Sequence, residues 1–373
     1  MTSWLLLGVG LAVFVTGAEL LVRGASRMAA KLGISPLLIG LTIVAFGTSS
    51  PEIAVSLGAV ANGQPDLALG NAVGSNTFNI LFILGLSAIV CPLVVQQKLI
   101  RIEVPLIIVA GAVLWIMLLD SKLGRLDGAL LLLGLVTYIV SVICAARREA
   151  PKSDHDSPQA VDRKPQGVVL AVLMVLVGLG LSVLGARWLV QGCVSIAASF
   201  GVSELVIGLT IVAAGTSLPE VATSLVAAVR GQRDIAVGNV LGSNIFNILG
   251  ILGLAGMVAP AGITAPPSLV NFDLVIMLAA SFLCLPIMLT GFRVDRWEGG
   301  LFLAAYIGYL IFTVLNATGS DPISNTSISP LWLAVPLVGI GLALTAWHAV
   351  RHRPRGGDAS RMTTQHDRPE CRQ

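Results

Sequence analysis

The sequence has little charge, few aromatic residues and few of the side chains that do most chemistry. Only 12% of its 373 residues are Asp, Glu, Lys or Arg, against about a quarter in soluble domains. That excludes an ordinary water-facing surface. Four histidines, His155, His348, His352 and His366, fall in a loop, at the end of an apolar run or in the C-terminal stretch. None is placed for a proton relay inside a membrane. Five cysteines, Cys91, Cys144, Cys193, Cys284 and Cys371, are scattered without metal or redox spacing and read as small apolar fillers. There is no HExxH sequence, paired aspartate or Ser–His arrangement, which argues against an intramembrane hydrolase. Nothing points to a nucleotide or a nucleic acid, so no enzyme and no cofactor is expected.

What is present in quantity is apolar sequence. Hydrophobic residues make up 55% of the chain, and the mean hydropathy is +0.89. Long apolar runs separated by short polar clusters predict an all-α, polytopic membrane protein, because each backbone polar group in a bilayer must be satisfied within its own helix. The runs are continuous rather than alternating, which excludes a β-barrel. Eleven spans are expected, near 4–22, 36–61, 67–92, 102–119, 127–146, 167–190, 204–229, 235–259, 269–290, 298–316 and 330–350. The start, MTSWLLLG, lacks a basic leader and reads as an uncleaved first span. With the N-terminus outside and the C-terminus cytoplasmic, only Lys122, Arg125 and Arg187 of the 23 Lys and Arg fall outside. Such a bias fixes orientation by the positive-inside rule.

A segment occurs twice. Residues 33–92 and 201–260 align without a gap at an offset of 168, with about 38 of 60 positions identical. The likeness extends to the flanks, where Gly17-Ala18, Leu21-Val22 and Gly24 return as Gly185-Ala186, Leu189-Val190 and Gly192. Spans 1–5 (residues 1–146) form one repeat and spans 6–10 (residues 167–316) the other. Five is odd, so the second repeat runs inverted through the membrane, giving a ten-helix 5+5 core. Residues 147–166 make a polar cytoplasmic linker. Residues 317–350 carry an extra eleventh span, and residues 351–373 a polar basic cytoplasmic tail.

Each copy holds a glutamate, Glu52 or Glu220, in an apolar run with no cation at its depth. A carboxylate at mid-bilayer costs about 3 kcal/mol or more, so it implies a function. Glu52 lies about 13 residues before the turn at Gly63-Gln64, and Asn79 follows at a matching distance after it. At the helical rise both stand at similar depth. Glu220 and Asn247 stand likewise about Gln232. Thr48 and Ser49 share the face of Glu52, and Ser75 shares that of Asn79. Thr216, Ser217 and Ser243 repeat the pattern. Pro51 and Pro219, with Gly47 and Gly215, should break their helices and free carbonyls over Ala45–Gly47 and Ala213–Gly215. All these ligands are oxygens, which suit Na⁺, Ca²⁺ or Mg²⁺, and many neutral oxygens beside two carboxylates favour Ca²⁺ over octahedral Mg²⁺. Three groups read differently. Gly70, Gly74, Gly238 and Gly242 are expected on close-packing faces. Glu19 should reach the inner surface from the end of span 1, and Asp66 and Asp234 should cap helices.

The stretches Gly47-Thr48-Ser49-Ser50-Pro51-Glu52 and Gly70 to Asn79, with Gly215-Thr216-Ser217-Leu218-Pro219-Glu220 and Gly238 to Asn247, resemble the α-repeats of the cation/Ca²⁺ antiporter superfamily. The likeness is to its bacterial Na⁺/Ca²⁺ exchanger-like members. The resemblance implies alternating access and a ligand set. Glu52 and Glu220 would bind Ca²⁺ and Na⁺. Thr48, Ser49, Thr216, Ser217, Ser75, Ser243, Asn79 and Asn247 would add side-chain oxygens, and Ala45 and Ala213 their carbonyls. Several relatives, including K⁺-dependent exchangers, carry aspartate where this chain has Asn247. The expected activity is exchange of Ca²⁺ for Na⁺ across the cytoplasmic membrane, the inner membrane if bacterial. The expected partners are the lipid bilayer and those ions, with no protein partner indicated. Two readings stay open beside it: Ca²⁺/H⁺ exchange, since a desolvated glutamate can carry a proton, and a passive cation channel.

Overall fold

The computed structural model describes residues 2–149, 165–201, 207, 211, 213–289, 291–317 and 339. Most of the linker, part of span 7, nearly all of span 11 and the tail lie outside the described residues. The helices are α1 (Thr2–Leu32), α2 (Pro36–Thr48), α3 (Ser50–Ala61), α4 (Pro65–Val90), α5 (Leu99–Asp120) and α6 (Arg125–Glu149). After the linker come α7 (Pro165–Ser199), the short α8 (Ala213–Gly215), α9 (Leu218–Val229), α10 (Arg233–Val258), α11 (Leu269–Leu289) and α12 (Arg296–Ala317). Among the described residues eight helices are long and apolar enough to cross a bilayer, nine if the bent pair α2–α3 is one span. The chain is therefore an all-α polytopic membrane protein, as the apolar runs require.

α1 and α7 outlast their apolar runs, at 31 and 35 residues, and lie antiparallel against each other. Glycines every seven residues make this possible, since seven residues is two helical turns and keeps one face. Gly10, Gly17 and Gly24 meet the other helix near Gly185, Gly178 and Ala171. A Cβ on Gly17 would stand 2.4 Å from the Ser182 nitrogen, and one on Gly178 2.4 Å from the Leu21 nitrogen. Only glycine permits backbones this close, and in lipid such packing substitutes for the missing hydrophobic drive.

The two hairpins α3–α4 and α9–α10 occupy the middle. The apolar stretch of α10 is 89% buried and that of α4 72%, against 22% for α7. Gly63 and Gly231 turn the hairpins in the left-handed region, at φ +75 and +74. Asp66 and Asp234 are not the caps. Gln64 and Gln232 hold those positions, both Asp lie in the first turn, and Asp234 accepts a 2.8 Å hydrogen bond from Gln96. Gly238 and Gly242 do pack closely, on the backbone of Leu37 and Leu41. Gly70 and Gly74 meet little, the nearest atom being Leu269 Cδ1 at 4.0 Å from a Cβ on Gly70. The segment 205–209, which answers in the second repeat to Leu37–Leu41, lies outside the described residues apart from Ile207.

Two short antiparallel ribbons, which the apolar pattern does not announce, tie the halves together. Leu93–Val94 (β1) pairs with Arg293–Val294 (β4), and Lys122–Leu123 (β2) with Ile263–Thr264 (β3). Each joins a loop of one repeat to a loop of the other. Both partners of each ribbon come from loops that the lysine and arginine count assigns to the same face. Cys144, Cys193 and Cys284 are free thiols. Cys91 is fully buried in the core, beside Arg233.

Candidate ion-binding site

The site begins at two interruptions. Between α2 and α3 the axis bends by 41°, because Pro51 has no N–H for the carbonyl four residues back and its ring crowds that turn. Ser49, at the junction, has φ −79 and ψ 3, and Ser217 before α9 has φ −89 and ψ 8. The new helices start at Ser50 and Leu218, so Glu52 and Glu220 both lie in a first turn. Unpaired N–H groups and the helix dipole favour negative charge there. Both carboxylates are 1% exposed.

The carboxylates are held across the repeats. Ser217 donates to Glu52 Oε1 at 2.8 Å, and Ser49 donates to Glu220 Oε1 at 3.1 Å. Ser217 also meets the Ser75 hydroxyl at 3.1 Å. Thr48 donates to Asn239 Oδ1 at 3.0 Å. Thr48 and Ser243 flank Glu220, although the Ser243 hydroxyl closes no hydrogen bond of normal geometry.

Four asparagines that the sequence reading left out complete this frame. Asn71 donates to the Glu52 carbonyl at 3.3 Å and to Ser56 at 2.9 Å. Asn239 repeats this on the Glu220 carbonyl, at 3.4 Å, and on Ser224, at 3.0 Å. Asn76 and Asn244 act on the central amides. Asn79 donates to Asn244 Oδ1, and Asn247 to Asn76 Oδ1, each at 3.0 Å. Asn76 in turn donates to the Asn244 carbonyl at 3.3 Å. A carbonyl can only accept, so it fixes the Asn76 amide, which then fixes Asn247. The duplication was the available signal, since all four asparagines recur at the offset of 168.

Six side-chain oxygens of the expected ligands are buried without a hydrogen-bond partner among the described residues. They are Glu52 Oε2, Glu220 Oε2, Asn79 Oδ1, Asn247 Oδ1, Thr216 Oγ1 and Ser243 Oγ. Buried polar atoms are nearly always satisfied, and orphans of this kind mark a missing partner. Asn79 and Asn247 begin or fall within wide-turned π segments, Asn79–Leu84 and Phe246–Ile251, a feature frequent at functional sites. Among the described residues no group of three or more His, Cys, Asp or Glu gathers, so the centre has two charges and otherwise neutral oxygens.

One expectation needs correcting. The Ala45 carbonyl is not released, since it accepts the Ser49 N–H at 3.0 Å; the Thr48 hydroxyl lies 3.3 Å from it and gives its one hydrogen over the shorter distance, to Asn239. Pro51 sits two residues too far on to deprive it, and the carbonyl four residues before Pro51 is that of Gly47. Ala213 opens the single turn of α8 before the second break. Glu19 is partly exposed, on a helix that outlasts its apolar run. α1 runs thirteen residues past it to Leu32, and Glu19 pairs with Arg23 and with Arg230 at the end of α9.

The comparisons with known proteins agree with this architecture. The family model described as sodium/calcium exchanger protein matches residues 2–144 and 170–315. CaxA of Alkalimonas amylolytica, named as a candidate antiporter, is 42% identical over 309 residues, 81% of this chain and 95% of that one. The inner membrane protein YrbG of Escherichia coli is 40% identical over 281 residues, 74% of this chain and 86% of its own. The solved structure of the sodium/calcium exchanger from Methanococcus jannaschii superposes with a TM-score of 0.70 at 32% identity, covering 83% of this chain and 98% of that one. With the duplicated glutamates and the inverted halves on the same footing, the chain belongs to the sodium/calcium exchanger protein family and is a multi-pass membrane transporter rather than an enzyme.

Proposed function

We propose that the chain is a secondary active antiporter that moves Ca²⁺ against Na⁺ by alternating access at one central site. The observation that carries this reading is the set of six unpartnered buried oxygens, two of them on carboxylates. Six oxygens with a charge of −2 match one Ca²⁺, which takes six to eight oxygen ligands in a flexible shell, or about two Na⁺. The same shell cannot hold both at once without uncompensated charge, which is unfavourable in a buried setting. Competition for one site is the basis of exchange. The ligand set is Glu52, Glu220, Asn79, Asn247, Thr216 and Ser243, with Thr48, Ser49, Ser75 and Ser217 holding the carboxylates or joining the shell as it rearranges. The Ala45 carbonyl contributes less, since it already accepts the Ser49 N–H, and the Ala213 carbonyl completes the set.

The membrane is the cytoplasmic one, with the N-terminus outside and the linker within. The driving energy comes from the Na⁺ gradient, and from the membrane potential, about 2.3 kcal/mol per charge per 100 mV, only where more than two Na⁺ move per Ca²⁺. The test is ⁴⁵Ca²⁺ uptake into proteoliposomes under separate Na⁺, K⁺ and H⁺ gradients. Uptake driven by outward Na⁺ alone is the expected result. Uptake driven only by a pH gradient would replace this reading with Ca²⁺/H⁺ exchange, and Ca²⁺ movement with no counter-ion would make the chain a channel.

A further inference from the structure

Arg187 occupies an unusual place in the duplicated plan. At the offset of 168, Gly17-Ala18-Glu19-Leu20-Leu21-Val22 corresponds to Gly185-Ala186-Arg187-Trp188-Leu189-Val190. Equivalent positions on the two long helices α1 and α7 therefore carry charges of opposite sign. Glu19 is engaged by Arg23 and Arg230. Arg187 forms no ion pair among the described residues.

Arg187 lines a cavity of about 480 Å³ together with Pro51, Ala54, Thr216 and Pro219. Pro51 and Pro219 mark the two helix breaks, and Thr216 carries one of the six unpartnered oxygens. The cavity thus reaches from α7 to the edge of the ion-binding centre. Much of the remaining wall is aliphatic, from Val55, Val183 and Val190, with Gln191 the polar side chain beside Arg187 on the same helix. A cleft with low-dielectric walls focuses the field of a charge at its mouth and changes the local concentration of ions inside.

We propose that Arg187 is a one-sided electrostatic barrier that selects by valence among cations reaching the centre through this cavity. The proposal rests on the cation-exchange reading above. A positive potential depletes an ion in exponential proportion to its charge. A divalent cation is therefore depleted by the square of the factor that applies to a monovalent one. Ca²⁺ arriving by this route is disfavoured relative to Na⁺, so Arg187 tunes the concentration at which one replaces the other on this face. Residues that touch the ion need not change for this preference to change.

The experiment uses the full chain in proteoliposomes. Apparent constants for Ca²⁺ and Na⁺ are measured on each face for wild type, Arg187→Lys, Arg187→Gln and Arg187→Glu. Arg187→Gln should lower the apparent Ca²⁺ constant about three- to tenfold on the cavity face, and the Na⁺ constant by the square root of that factor. Arg187→Lys should match wild type and Arg187→Glu should go further than Gln. All shifts should shrink in high choline chloride, which screens the field. Equal effects of Lys and Gln, equal factors for Ca²⁺ and Na⁺, or equal shifts on both faces would each overturn the proposal, since packing changes follow neither charge nor valence. Wild-type flux without Na⁺ dependence would instead refute the exchange reading, and the charge series could still be scored on whichever cation the wild type moves.

Discussion

The Ser217 hydroxyl donates to Glu52 across the repeat boundary at 2.8 Å, and its internal counterpart Ser49 returns the bond to Glu220. Each repeat thus orients the acid of the other. The second oxygen of each carboxylate is left without a partner, at the centre of a membrane-embedded core. One consequence concerns the acids themselves. Glu52→Gln and Glu220→Gln each reduce the site to a single negative charge for a divalent ion. Each should lower Na⁺-driven ⁴⁵Ca²⁺ uptake at least tenfold while leaving the detergent melting temperature close to that of wild type. Normal uptake by either variant would remove that acid from the ligand set.

Asn244 lets the role of amide orientation be tested. Its Oδ1 takes the Asn79 N–H, leaving the Asn79 oxygen free. Asn244→Ala should let the Asn79 amide turn and present N–H to the ion, weakening apparent Ca²⁺ affinity about tenfold, the equivalent of one hydrogen bond to a charged group. Asn244→Asp keeps the accepting oxygen and should retain affinity. If Ala and Asp behave alike, the bond to Asn79 has no orienting role.

The α1–α7 contact sets a steric test. Gly17→Ala and Gly178→Ala each place a Cβ 2.4 Å from backbone nitrogen, where nothing flexible can give way. Overpacking of this kind costs about 1–3 kcal/mol. Both variants should melt at lower temperature, whereas Gly180→Ala, with nothing within 4 Å, should not. Equal melting of all three would mean that the helices separate freely.

Potassium provides a test of the central amides. Glu52 and Glu220 already balance one Ca²⁺, and Asn79 and Asn247 are neutral, so an added K⁺ would leave the site near +1 where uncompensated charge is unfavourable. Replacing all K⁺ by choline should leave Na⁺-driven Ca²⁺ flux unchanged within about twofold. Loss of flux under choline would show a K⁺ site beyond these ligands.

The sequence by itself determined the class of protein and the equivalence of its two repeated segments. Apolar run length follows from bilayer thickness, so the spans could be counted. Duplication at a fixed offset made Glu52 and Glu220 equivalent before any contact was known. What the chain could not reveal is which atoms face each other. Periodicity places a side chain on a face but does not say which partner that face meets. The exchange of Ser49 and Ser217 between repeats, and the part played by Asn76 and Asn244, exist only once two segments 168 residues apart lie side by side. Hydropathy marks where an apolar run ends, near residue 22, but not that α1 continues to Leu32. The backbone bond to Ala45 is equally invisible in a string of letters, since the register of a broken helix is decided by how the two pieces pack. Local sequence fixes what each segment can do, and the packing of the two repeats selects which buried oxygens are left without a partner among the described residues.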